Sequence, residues 1–184
     1  MRGLRRIPPR SQGQALVLAS ILLAFVVVPL GLMVLAVNQE RSAYAAVAAL
    51  VRTAASDGAG VLADPSVATA APTLAGNSAS CVESAGGLSA AERACQTLRT
   101  GLAHLFPGPY ARVDVPAALA ATQVAVLNGT PAAPVQDPAT GQVYHYPTLC
   151  VATRLWVGVL EYDGAGATFA FHACAQTVWR TTGG

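Results

Sequence analysis

The sequence predicts an α+β protein: a long N-terminal transmembrane helix that continues outside the membrane, followed by a small disulfide-stapled domain with one short helix and an antiparallel sheet. Three observations lead there. Residues 15–37, "ALVLASILLAFVVVPLGLMVLAV", carry no charge. The alanine-rich stretch after them keeps a helical period. Residues 81–184 hold all four cysteines and several alternating segments rich in Val, Thr and aromatics.

The apolar run would rise about 34 Å as a helix, at roughly 1.5 Å per residue, enough to cross a hydrocarbon core of about 30 Å. A secretory signal core is shorter, about 7–15 residues, and ends at a small-x-small site. Here "NQERSAYAAVAAL" follows, with only a weak site around Ala43, so the run reads as an anchor. Arg2, Arg5, Arg6 and Arg10 precede it, whereas only Arg41 and Arg52 follow closely. Positive charge stays cytoplasmic, so the expected topology is a single pass through a bacterial cytoplasmic membrane. The N-terminus lies inside and the C-terminal domain is periplasmic or extracellular. Pro29 and Gly31 weaken the local hydrogen-bond ladder, which membrane helices tolerate through local 3₁₀ or π adjustment.

Beyond the span, Tyr44, Val47, Leu50, Val51 and Ala54 recur at three- and four-residue spacing and draw one packing stripe along a helix. Gly58 and Gly60 are expected to end it. The chain therefore divides into a basic cytoplasmic leader (1–13), a transmembrane and extended amphipathic helix (14–58), a linker (59–80) and an exported α+β domain (81–184).

Composition narrows the function classes. Apolar residues make up 53% and charged residues 11%, against roughly 25% charged in an ordinary soluble domain. The net charge is only +2 and there is no lysine. With four arginines ahead of the span, the remainder is close to neutral. No basic stripe interleaved with aromatics is present, so no nucleic-acid partner is expected.

In the exported part, Ser89 and Glu92 have the spacing of a capping box. Ala91, Cys95, Leu98, Leu102 and Leu105 then fall on one face, and Pro107 with Gly108 ends the helix. "ARVDV" and "TQVAVLNG" read as short strands, with Asn128-Gly129 a turn signal. "QVYHYPTLCVATRLWVGVLEY" and "ATFAFHACAQTVWRT" read as longer strands joined at "DGAG". In the last strand Phe169, Phe171, Ala173, Ala175 and Trp179 share one face; Thr168, His172, Cys174 and Gln176 share the other.

Cys81, Cys95, Cys150 and Cys174 all lie on the expected outer side, where an even count reads as disulfides. Four cysteines allow three connectivities. Cys81–Cys95 with Cys150–Cys174 is the most economical, each joining neighbouring elements. A tight turn at Asp163-Gly164 would set Cys174 opposite Thr153, so the second bridge requires a bulge or a wider loop. Zinc is disfavoured because no Cys-x-x-Cys pair exists. His104, His145 and His172 have no second histidine or carboxylate at ligand spacing, and no catalytic frame is recognisable. No metal, cofactor, small-molecule substrate or enzymatic activity is expected.

The N-terminal third resembles the TadE/TadG-like proteins of the Tad (tight adherence, Flp-type) pilus machinery. The resemblance rests on Gly13-Gln14-Ala15-Leu16-Val17, Pro29, Arg41 with Tyr44, and Leu50-Val51-Arg52-Thr53-Ala54-Ala55-Ser56-Asp57-Gly58-Ala59. It implies a structural role in pilus assembly, with the lipid bilayer and the transmembrane helices of other subunits as partners. It also implies cleavage by a prepilin peptidase between Gly13 and Gln14. Leu18 stands where the family's pseudopilins carry a glutamate, which argues against a main filament subunit. The alternatives are a single-span accessory subunit of another membrane complex, or an exported binding domain or enzyme on an anchor.

Overall fold

The computed structural model describes residues 10–63, 72–82, 87–107, 113–158 and 166–177. These form two compact units, one ending at Arg41 and one beginning at Ser42.

In the first unit, helix α1 (Arg10–Leu22) passes through a π-helical turn (Leu23–Val27) into α2 (Val28–Ala59). The Val28 N–H reaches back to the Leu23 carbonyl. The π turn abuts Pro29, whose ring crowds the carbonyl four residues earlier and offers no N–H. Widening the ladder there relieves that conflict, which is the local adjustment expected. Large side chains from Leu16 to Leu35 are exposed on every face, among them Leu18, Phe25, Leu30 and Met33. The apolar window of this helix has a mean hydropathy of 2.8 and none of it is buried. It is long and apolar enough to cross a membrane.

The second unit begins with residues 42–59 of α2. Val47, Val51, Ala54, Ala55 and Ala59 are buried, and Leu50 packs against the same core. Tyr44 meets Phe169 edge-on at 5.7 Å and lies 4.9 Å from Phe171, centroid to centroid. The stripe, expected only to need an apolar cover, is the inward face of this chain's own domain. An amphipathic stripe specifies only that something apolar covers it; here the cover is the sheet and the next helix. Gly58, expected as a terminator, lies inside the helix, which ends at Ala59 with Gly60 in the following turn.

Helix α3 (Ala90–Leu105) starts at the expected capping box: the Glu92 N–H donates to Ser89 Oγ at 3.2 Å, and the Ser89 N–H donates to Glu92 Oε2 at 3.2 Å. Ala91, Cys95, Leu98 and Leu102 are buried as predicted, whereas Leu105, expected on the same face, is exposed at the helix end. The segment read as the strand "ARVDV" differs. Asp114 caps a short helix α4 (Val115–Ala120), accepting from the Ala117 N–H at 3.0 Å. Pro116 in the first turn suits a helix start, and only an isolated bridge from Val113 to Val157 remains of the expected pairing.

The main sheet has four strands, β1 (Ala79–Ser80), β2 (Gln123–Asn128), β5 (Pro147–Gly158) and β6 (Gly166–Gln176), in the order β1-β2-β5-β6. Every pairing is antiparallel. A separate two-stranded ribbon joins β3 (Val135–Gln136) to β4 (Val143–Tyr144). The long strand expected from Gln142 onward is thus divided at His145-Tyr146, ahead of Pro147. Residues 72–80, read as linker, supply β1 and the buried Leu74. The Asn128 amide binds the Leu74 backbone in both directions, at 2.7 and 3.3 Å, rather than making a local turn.

One face of the sheet presents Val124, Leu149, Val151, Leu155 and Phe171 to α2, α3 and α4 in the principal core. On the other face Leu127, Tyr144 and Cys150 form a smaller cluster, with Ala125, Val135 and Cys174 against it. That alternation of burial is what a two-faced antiparallel strand requires.

Candidate functional site

Both disulfides adopt the economical pairing. Cys81–Cys95 has a Cα separation of 5.2 Å and Cys150–Cys174 one of 4.0 Å. The first ties the end of β1 to α3, where Arg99 also donates to the Cys81 carbonyl at 3.2 Å. Cys174 lies directly opposite Cys150, and Thr153 faces Phe171. The register is unbroken from Thr148↔Gln176 to Gly158↔Gly166, with no bulge between these strands among the described residues. The predicted turn at Asp163-Gly164 lies outside the described residues.

Beside the second bridge the fold assembles a polar group that sequence spacing does not reveal. Asp137 begins the turn "DPATG" between β3 and β4. Its Oδ1 accepts the Ala139 N–H at 3.1 Å, its Oδ2 accepts the Thr140 hydroxyl at 2.6 Å, and the Gly141 N–H donates to its carbonyl at 2.8 Å. Gly141 sits at φ +75°, a left-handed value that suits glycine. Asp137 is only 1% exposed, and its Oδ2 lies 3.0 Å from His172 Nε2. The same imidazole nitrogen is 3.6 Å from Cys174 Sγ.

Burial alone would raise the Asp137 pKa. The Thr140 hydroxyl, the Ala139 and Thr140 N–H groups and the His172 charge more than offset it, so the carboxyl sits below its ordinary value of 3.8. Tyr144 is pushed up, first by burial and then by the negative charge of Asp137. An open groove of about 490 Å³ runs past this place, with Gln123, Thr140, Arg154 and His172 among its polar lining.

The other predicted positions are simply placed. Gly13 and Gln14 are exposed within α1, and a side chain added at Gly13 would meet nothing. Arg10 is the first residue of that helix; Arg2, Arg5 and Arg6 lie outside the described residues. His104 is exposed in the last turn of α3, and His145 lies in the bend between β4 and β5. The Asp137–His172 contact escaped sequence reading because it joins a turn to a distant strand. The only local signal was the turn chemistry of Asp-Pro followed by Thr-Gly.

These features define a class: a chain with one candidate membrane-spanning helix near its N-terminus and an α+β domain held by two disulfides. Comparison with family models, curated proteins and solved structures finds no match.

Proposed function

We propose that this chain is a membrane-anchored structural protein of the TadE/TadG-like kind, contributing to the biogenesis of a Tad/Flp-type pilus or a related secretion apparatus. The observation that carries the reading is the helical segment 13–35. It is apolar on every side, uncovered among the described residues, and carries the Gly13-Gln14-Ala15-Leu16-Val17 and Pro29 pattern of that family. Such a surface is compatible with lipid and with other transmembrane helices, where close packing and not hydrophobicity drives association. The arginine-rich leader supports an N-terminus inside and the disulfides support a domain outside, in an oxidising compartment. Leu18 in place of a glutamate favours an assembly or accessory role over a main filament subunit.

Photo-crosslinking from Leu18, Phe25 and Met33 in native membranes tests this reading. The expected products join the chain to other single-span components of a pilus system, and deletion of its gene removes surface pili. Unaltered piliation after deletion would sink the proposal. Non-reduced intact mass identifies the mature start: Gln14 for prepilin-type processing, Met1 or Arg2 for a permanent anchor.

A further inference from the structure

The donor atoms of Asp137, Cys150, His172 and Cys174 all lie within 4.8 Å of one another. The sulfurs are joined in the oxidised protein, so the present arrangement is a disulfide with an imidazole and a carboxylate beside it. We propose that this place is a redox-gated zinc site: when Cys150–Cys174 is reduced, the two thiolates, His172 Nε2 and Asp137 Oδ2 hold one Zn²⁺.

Two thiolates, one imidazole and one carboxylate form a donor set suited to tetrahedral zinc. Zinc bonds of about 2.0–2.3 Å place neighbouring donors roughly 3.3–3.8 Å apart. His172 Nε2 is already 3.0 Å from the carboxylate and 3.6 Å from Cys174 Sγ. The main change needed is separation of the two sulfurs. Cys150 and Cys174 face each other on paired strands, and His172 sits two positions from Cys174 on the same side of β6. Asp137 is aimed by the Thr140 hydroxyl and the Ala139 N–H, the outer-shell support that metal carboxylates use. Leu127 and Tyr144 supply a low-dielectric wall. The absence of a Cys-x-x-Cys signature follows from the topology, since the ligands come from two strands and a remote turn.

The chemistry balances with a dithiol as reductant. Its thiolate attacks Cys174 Sγ, forming a mixed disulfide and releasing the Cys150 thiolate. Its second thiol then closes the reductant's own disulfide and frees Cys174. Two electrons and two protons pass to the protein, and Zn²⁺ displaces the two thiol protons to solvent. Selectivity follows from burial: Cys81 and Cys95 are 0% exposed, whereas Cys174 is half-buried. The proposal concerns the domain alone and stands independently of the pilus reading.

The test uses the full chain in detergent micelles with a phosphine reductant, which does not compete for zinc as dithiols do. Zinc stoichiometry is read by native mass spectrometry and geometry by Co²⁺ absorbance. One metal per reduced chain and none per oxidised chain is expected, with tetrahedral d–d bands and thiolate charge-transfer bands for Co²⁺. Thr140→Val should weaken affinity about 10–100-fold, and His172→Ala at least as much. The Cys81→Ala/Cys95→Ala chain should still bind, and Cys150→Ala/Cys174→Ala should not. A reduced chain that binds no metal, folded or unfolded, overturns the proposal. So does binding left unchanged by His172→Ala or by Cys150→Ala/Cys174→Ala.

Discussion

Adding one methyl group at Gly58 tests whether α2 and the sheet really meet as closely as described. A Cβ there would lie 2.5 Å from Leu149 Cδ2, 2.7 Å from the Ala90 carbonyl oxygen and 3.1 Å from Ala94 Cβ. None of these neighbours yields easily. Leu149 is 0% exposed, Ala90 O belongs to the first turn of α3, and Ala94 is fully buried. On helix propensity alone, Gly58→Ala should stabilise by about 1 kcal/mol. Overpacking of a filled core costs about 1–3 kcal/mol, and two approaches well below van der Waals distance place this site in the upper part of that range. The net expectation is a loss of about 1–2 kcal/mol, or roughly 3–8 °C in Tm for a domain of this size. Gly101→Ala supplies the comparison. The three atoms nearest its Cβ would all belong to the side chain of Leu50, which is half-buried and can turn aside, so the loss should be smaller. Urea denaturation of the three proteins in the same micelles, followed by tryptophan fluorescence and far-UV circular dichroism, gives the ranking. A Gly58→Ala protein as stable as the parent, or less affected than Gly101→Ala, would refute the packing described for α2.

Two further outcomes follow from the site and its staples. The Cys81–Cys95 bridge closes a sequence separation of 14 residues, so Cys81→Ala/Cys95→Ala should cost about 3 kcal/mol by loop-closure entropy; a loss under about 0.5 kcal/mol would show that α3 is held without it. The Asp137 carboxyl is depressed below 3.8 in the folded protein, so its contribution is complete above about pH 4 and is lost as pH falls through the lower folded value. The acid limb of the pH–stability curve should therefore flatten in Asp137→Asn, and an unchanged slope between about pH 4 and pH 2 would remove Asp137 as its source.

What sequence made visible depended on how local each signal was. The apolar span, the capping box of α3 and the alternation of β6 are each written within a dozen or so neighbouring residues, and each appears where expected. Register and partner choice are not local. A tight turn at Asp163-Gly164 implied one register, yet the strands pair in another that runs to Gly158↔Gly166, and that decides whether Cys174 meets Thr153 or Cys150. The stripe from Tyr44 to Ala54 was legible as a stripe, but period alone cannot say whether its cover belongs to the same chain. Val113 and Val115 made "ARVDV" look strand-like by composition. The Asp114 cap and the proline at the helix start favour a helix more strongly than one β-branched residue favours a strand. Asp137 and His172 could be found only from the fold.

The contrast between the two faces of the sheet explains why the Asp137 cluster calls for more than a structural role. The helix-covered face is built from Val, Leu, Ala and Phe, and its buried hydroxyls are mutually satisfied: Thr122 lies 2.8 Å from both Thr153 Oγ1 and the Ala118 carbonyl. The opposite face is covered mainly by a two-stranded ribbon, and its polar anchor is a charged carboxylate at 1% exposure. The turn needs an acceptor for the Ala139 N–H and the Thr140 hydroxyl, and a neutral asparagine oxygen could take the first without the desolvation of a charge. Burying a carboxylate is costly, and replacing a buried ion pair with neutral groups is often neutral or stabilising. The turn's own donors, the Thr140 hydroxyl and the Ala139 and Thr140 N–H groups, hold much of that negative charge. What the charge adds is its direct contact with His172, whose other neighbour is Cys174 Sγ. A carboxylate and an imidazole converging on a half-buried sulfur are the partners a bound cation requires, and the disulfide is the state in which that cation has no thiolates to bind.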